Sequence, residues 1–451
     1  MIRKAGYAVL AVLTYGTLEA LLLGYKYYII FAILTFFTIA FEVIYFNIYA
    51  AKAIKNISVT RKTDTQDFKK NREVKFTLHF VNNNPHPVSI HFFDEAIDVL
   101  EISGKTSGTA TIPKNGVYDI EYFVTPRYIG EYKLGNIRIS IDDTFHIASI
   151  DKTFVIDMPM RIYPLMKDIR ASRSEMASNF IYTFGNHYSH RIGQGYNIYD
   201  IRQYTFEDDP RFIVWNKFDE QNNTILVKEM EEEREITIIF IIDYSIAMNH
   251  GFTDRIYDKT IVDIINLSHL IIKNRDNIGF FLYSSEINIY LPPDKNGKSI
   301  SDLERATASI LPAGEFSISG AIENLKMKQK KNVLLFVITA SQPVLPKSDY
   351  HNDKLQFNFI KILDRVLPKS NYRNYMSIFL INNESYYDYN PKGEFENILM
   401  KNARLMELER ISGIAREIRY AGIRCVYVGK KDILSRIMLE YNYRRSMNAG
   451  A

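Results

Sequence analysis

Two apolar stretches open the chain. Ala5 to Gly24 carries a single charge, Glu19, and Tyr27 to Ala50 a single charge, Glu42. A helix rising about 1.5 Å per residue needs roughly 20 such residues to cross a hydrocarbon layer about 30 Å thick, so each stretch is long enough. A cleaved signal peptide has one shorter apolar region and leaves the second stretch unexplained. The pattern predicts a two-helix transmembrane hairpin over residues 1–54, turning at Gly24, Tyr25 and Lys26. Glu19 is expected within reach of one interface and Glu42 to be protonated or to face the partner helix, structural positions rather than a proton path. Arg3 and Lys4 precede the hairpin and Lys52, Lys55, Arg61 and Lys62 follow it, against one lysine in the turn. Basic residues stay on the cytoplasmic side, which predicts a multi-pass protein of the cell membrane with its soluble domains in the cytoplasm.

A basic linker, Lys55 to Arg72, leads into shorter alternating runs. Val74 to Val81 alternates with period two and stops at Asn82, Asn83, Asn84 and Pro85, a strand and its turn. Similar runs at Gly108–Ile112, Val117–Val124, Gly135–Ile141 and Lys152–Ile156 predict an antiparallel β-sandwich over residues 55–165. Its histidines, His79, His86, His91 and His146, lack metal-ligand spacing.

From residue 166 to 451 the period changes again. The stretch His190 to Gly251 organises this part: a glycine-punctuated turn, an acidic corner, the single tryptophan Trp215, then the apolar run Ile236 to Ile242 closing on Asp243 and Ser245. An uninterrupted run of that kind reads as a central parallel strand whose carboxyl end presents polar groups to a ligand or partner. Helices are predicted over Lys259–Lys273, Ser301–Ile310, Ser319–Lys328, Phe357–Val366 and Glu394–Tyr420, with one more closing the chain. Strands are predicted over Asn277–Tyr283, Val333–Thr339, Met376–Ile381 and Arg424–Val428. The alternation defines an α/β class with a doubly wound sheet.

Composition narrows the function little. With 451 residues the chain has length for about three domains. The net charge of +4 implies no acidic partner, and one cysteine, Cys425, excludes an internal disulfide framework. Arg170, Arg173, Arg191, Arg444 and Arg445 are dispersed among acidic residues, which argues against a nucleic-acid partner. No Gly-x-Ser-x-Gly elbow, His-Glu-x-x-His pair or phosphate-binding G-x-x-x-x-G-K-[ST] loop occurs in the sequence.

One set of residues carries a resemblance. Arg127 to Gly135, then Asp142 to His146, then Ile162, Tyr163 and Pro164 follow the order of an R-G-x-Y-x-L-G strand pair, a turn and a strand ending in Tyr-Pro. Further on come Gly193-Gln194-Gly195, Arg202-Gln203-Tyr204, Asp208-Asp209-Pro210-Arg211 leading to Trp215, Val227-Lys228-Glu229 and Asp243-Tyr244-Ser245. Together these resemble the DUF58 family, whose signature residues here are Asp208, Asp209, Arg211, Trp215 and Glu229. Glu207 stands where the family has glycine. Read from their chemistry alone, Asp208 and Asp209 cap a turn and Arg211 pairs with one of them, or with Glu229 or Glu231, to fix a corner.

DUF58 proteins are similar to von Willebrand factor A domains in the α/β part, which implies a magnesium-type ion above the sheet. Carried over by position, the ligands are Asp243 and Ser245, with Ser317 or Ser319 in place of a threonine. Ala247 and Ala340 replace two further oxygen ligands, so the site is degenerate and no cofactor follows from it with force. The resemblance implies a non-catalytic, membrane-anchored interaction or assembly factor that presents the face above Asp243 and Ser245 to a MoxR-type AAA+ ATPase. The alternative is a metal-dependent hydrolase using Asp243 with Asp208 and Asp209, which requires those carboxylates to converge.

Overall fold

A computed structural model describes residues 4–24, 26–95, 97, 99–143, 148–156, 158–165, 192–215, 225–231, 236–251, 254–329, 333–340, 375–386, 393–420 and 422–446. The chain divides into two compact units, Met1–Tyr163 and Pro164–Ala451.

The first unit begins with helices α1 (Lys4–Leu22) and α2 (Lys26–Lys55), and Gly24 between them has φ 71°. Among the described residues, Ile29–Lys55 within α2 is long and apolar enough to cross a membrane. Ile30, Phe31, Leu34, Phe37 and Phe41 are exposed along it. Its last turns behave differently, because Phe46, Ala50, Ala53 and Ile54 are buried in the core of the β-structure that follows. The carbonyls left open at a helix C-terminus need outside donors. Here Asn84 Nδ2 donates to the Ala53 carbonyl at 2.9 Å and Lys152 Nζ to that of Ile54 at 3.1 Å.

Two antiparallel sheets enclose that core. One has the order β1 (Ile57–Thr63), β3 (Val74–Asn82), β7 (Val117–Pro126), β5 (Leu100–Gly104). The other runs β10 (Ser149–Phe154), β9 (Ile137–Asp142), β4 (Val88–Asp94), β6 (Ser107–Ile112). A smaller sheet joins β2 (Phe68–Lys69), β11 (Pro159–Tyr163) and β8 (Gly130–Lys133). Alternation in β3 is strict, with Val74, Phe76, Leu78 and Phe80 inward. The expected basic linker is a correction: residues 57–63 form β1, in which Ile57, Val59 and Arg61 face the core. Arg61 hides the pattern, since an inward arginine reads as solvent-facing until its partner is seen. Arg61 Nη2 pairs with Asp94 and also donates to the Gly135 carbonyl at 3.2 Å, while Tyr122 donates its hydroxyl to the second Asp94 oxygen at 2.6 Å. Burial pushes the Asp94 carboxyl up, and Arg61 and Tyr122 pull it back.

In the second unit, β12 (Ile192–Gln203) and β13 (Leu226–Glu231) form an antiparallel pair. After it comes a six-stranded sheet ordered β16 (Asn288–Asp294), β15 (Asn277–Tyr283), β14 (Thr237–Asp243), β17 (Leu334–Ala340), β18 (Met376–Ile381), β19 (Arg424–Val428). Its neighbours are parallel except β15 and β16. β14 sits inside the sheet and is buried from Ile238 onward, which is why its sequence is apolar without alternation. The helices are α3 (Ile256–Lys273), α4 (Lys298–Ser309), α5 (Ile318–Lys328), α6 (Glu394–Tyr420) and α7 (Ile433–Ser446). Ala321, Ile322 and Leu325 of α5, with Ile411, Ala415 and Ile418 of α6, meet Ile239, Ile241, Leu335, Val337, Ile378 and Leu380. Residues of the opposite parity form a row of rings across four strands: Phe280 to Phe240 at 6.1 Å, Phe240 to Phe336 at 5.5 Å, Phe336 to Phe379 at 5.5 Å. The edge strand β16 has no counterpart in the sequence reading, because Pro292 and Pro293 break the pattern; prolines are tolerated at a sheet edge. The helix expected over Phe357–Val366 lies outside the described residues.

Removing one member of a buried ion pair strands the other charge and costs about 3–5 kcal/mol. Arg61→Ala is therefore expected to lower the unfolding free energy of the full chain by roughly that amount in urea titrations. Arg61→Met combined with Asp94→Leu should lose less than the single change. A loss under about 1 kcal/mol for Arg61→Ala would show that the pair contributes no more than a surface contact.

Candidate functional site

The apolar β14 delivers Asp243 to the carboxyl end of the sheet, where a ligand site was expected. The side chain arrives sealed: Asp243 is 1% exposed and Ser245 3%. Asp243 Oδ1 accepts from the Ser245 amide at 2.9 Å, and Oδ2 accepts from Thr339 Oγ1 at 2.7 Å and the Ala340 amide at 3.2 Å. A carboxylate offers about four lone-pair positions, and here three protein donors engage its two oxygens. Burial without an adjacent cation pushes the Asp243 carboxyl up, and hydrogen bonding from Ser245, Thr339 and Ala340 offsets this only in part.

Among the described residues, the loop between α4 and α5 is bonded to the turn that follows β14. The Ala313 amide donates to the Tyr244 carbonyl at 3.0 Å, and the Ile246 amide donates to the Gly314 carbonyl at 3.1 Å. Its far side is tied to the end of β15, with the Ser285 amide on the Glu315 carbonyl at 2.7 Å. Gly314 has φ 73°, and a Cβ there would stand 2.5 Å from Ser285 Oγ, so the loop can close this tightly only with glycine. Below it Tyr244 and Tyr257 share a 2.7 Å hydroxyl bond, and Tyr244 also donates to the Ile310 carbonyl at 2.7 Å.

The expectation that Asp243 and Ser245 line an open rim is corrected by their burial: neither side chain reaches the surface. Ser317 caps α5 by accepting from the Gly320 amide at 3.3 Å, and its hydroxyl lies 2.9 Å from that of Ser319. Neither serine is a partner of Asp243. The residues present do not fit a hard divalent ion, because both Asp243 oxygens already accept from protein donors and Ala247 and Ala340 bring no side-chain oxygen. Among the described residues no three His, Cys, Asp or Glu side chains gather as metal ligands.

The signature residues make a separate corner. Arg202 is its hub, with Nη2 to Asp208 Oδ1 at 2.5 Å, Nη1 to Asp208 Oδ2 at 2.7 Å, and Nε to Glu229 Oε1 at 2.5 Å. Thr205 adds its amide and hydroxyl to Asp208, each at 2.8 Å. These bonds to Arg202 and Thr205 hold the Asp208 carboxyl well below the usual carboxylate range. Asp209 caps the short turn Pro210–Phe212 through the Arg211 amide at 3.0 Å and grips the Arg211 side chain at 2.6 Å. Arg202 thus ties β12 to β13, a role the sequence did not single out; Arg211 pairs with Asp209 but its side chain is 86% exposed. Trp215 is 73% exposed. A hydrolase built on Asp243, Asp208 and Asp209 finds each carboxylate already held by its own donors. Cys425 is buried, and that burial pushes its thiol up to about 12, the condition of an inert packing residue. Arg444 is buried against Glu440 at 2.9 Å and Arg445 donates to Tyr441 at 3.3 Å; Arg170, Arg173 and Arg191 lie outside the described residues.

The class these features define is an α/β protein whose strand end is a closed joint. Residues 200–351, about a third of the chain, match the family described as Protein of unknown function DUF58. No curated protein matches the chain. Among solved structures, BatB, a conserved hypothetical protein from Bacteroides thetaiotaomicron, is 14% identical, with 47% of this chain and 98% of that one covered at a TM-score of 0.29. An aerotolerance-related membrane protein from Bacteroides fragilis NCTC 9343 is 12% identical, with 46% and 97% covered at a TM-score of 0.26.

The buried carboxyl sets a pH dependence. A carboxyl raised in the folded chain contributes stability that is present below the ordinary aspartate range and is lost as pH rises through the raised value. Wild type should therefore gain stability relative to Asp243→Asn as pH falls from about 7 to about 4, read as the difference between urea midpoints. A difference that stays constant, or moves the other way, contradicts the assignment.

Proposed function

We propose that the chain is a non-catalytic, membrane-anchored interaction or assembly factor working with a MoxR-type AAA+ ATPase in the cytoplasm. The observation that carries this reading is the state of its carboxylates. Asp243, Asp208 and Asp209, the groups the sequence offers for chemistry, are each consumed by structural donors. The partner follows from the DUF58 segment and from its likeness to von Willebrand factor A domains. A mostly parallel six-stranded sheet with one antiparallel edge strand agrees with that likeness. The chain has no G-x-x-x-x-G-K-[ST] loop, so ATP hydrolysis belongs to the partner. Anchoring falls to α1 and α2 as two spans, with the basic residues around them holding both soluble units on the cytoplasmic side. Because α2 ends inside the sandwich core, the anchor and the first soluble unit are one continuous piece.

Affinity purification of the tagged full chain from solubilised membranes is expected to bring down an AAA+ ATPase, and Asp243→Asn should retain it, since that carboxylate is not a docking contact. Absence of any such ATPase from both preparations would end the proposal. Protease added outside intact cells should leave both soluble units whole; their digestion would reverse the orientation.

A further inference from the structure

The six-stranded sheet ends at β19, and among the described residues no strand pairs with its outer side. An open groove of about 500 Å³ lies there, lined by Arg424, Cys425, Val426 and Tyr427 together with Arg419 and Arg436. Successive strand residues point to opposite faces of a sheet. A groove touched by four in a row therefore follows the main-chain edge rather than either face. The Val428 carbonyl accepts from the Asn382 amide at 2.8 Å inside the sheet, so the strand's parity turns the main-chain groups of Cys425 outward.

Two helices on opposite faces bring an arginine to this edge. Arg419 follows Ile418 of α6, which packs with Cys425. Arg436 belongs to α7, on the face where Arg424 pairs with Glu440 at 2.5 Å. Arg424 is further committed by stacking on Tyr443 at 4.3 Å. Arg419 and Arg436 are both exposed, and no ion pair holds either among the described residues. An exposed strand edge pairs with another chain unless something blunts it. Here the two flanking charges are positive, and arginine stems beside Val426 leave an apolar floor.

We propose that the outer edge of β19 is a docking groove for an extended acidic segment of a protein partner. The segment adds to the sheet as a further strand and lays carboxylates between Arg419 and Arg436, main-chain bonds supplying affinity and the arginines the preference for acid. This rests on the reading of the chain as a docking protein, not on the identity of the ATPase.

The test uses the full chain in detergent and a fluorescein-labelled peptide of alternating valine and glutamate, followed by anisotropy. Saturable binding is expected, weakened at least about tenfold by Arg419→Glu with Arg436→Glu, a change of about 1.4 kcal/mol. Both positions are exposed, so the double variant should keep its circular dichroism and melting. A valine–lysine peptide should not bind, and a glycine–glutamate peptide of equal charge but poor strand propensity should bind weakly. Equal binding of the glycine–glutamate peptide, or displacement by millimolar inorganic phosphate, reduces the groove to a general anion site and overturns strand addition. No binding to wild type, or none lost in the double variant, overturns the proposal and leaves the arginines as guards of the edge. Peptide binding without a co-purifying ATPase would sustain the groove while removing that partner.

Discussion

A buried carboxylate survives only if its lone pairs are answered, and the end of the central sheet is arranged around that requirement at Asp243. Its three donors come from two places about a hundred residues apart in sequence, the turn at Ser245 and the end of β17 at Thr339 and Ala340. The side chain consequently locks two adjacent parallel strands at the same level. Alanine at position 340 leaves an amide facing Asp243, with no side-chain oxygen to share an ion. The same strand end that could hold a cation with a different set of neighbours is, in this chain, a joint.

Closing that end has consequences for where a partner can meet the protein. Gly314 lets the loop descend onto Tyr244 and Ile246, and the hydroxyl pair of Tyr244 and Tyr257 supports it from below. Among the described residues the sheet instead has an unpaired edge at β19, where two arginines line a groove. In the other unit, α2 extends from an exposed apolar stretch into the sandwich core, and Asn84 and Lys152 cap its last carbonyls. Motion of the helix end would have to be shared with that core.

Much of the α/β order was legible because apolar runs closed by polar or turn residues, and apolar positions at helical spacing, admit few readings. Asn277–Tyr283, Met376–Ile381, Glu394–Tyr420 and Arg424–Val428 have the bounds expected of them. The failures occur where a charge or a proline sits in a structured position. Arg61 conceals β1 because its partner Asp94 is 33 residues away, and Pro292 and Pro293 conceal β16. The residues of the site were legible but not their accessibility. Asp243 and Ser245 stand where the apolar run predicts, yet the bonds around them come from Thr339 and from a loop whose path is not encoded locally. Arg202 was visible only as part of a motif, since its hub role depends on β12 lying beside β13.

The central claim is that the end of β14 is a structural joint rather than an ion site, and manganese(II), a paramagnetic substitute for magnesium, tests it most directly. Electron paramagnetic resonance of the full chain in detergent, titrated with manganese, should show no bound population that Asp243→Asn abolishes. A stoichiometric bound ion, lost in that variant alone, would contradict the account.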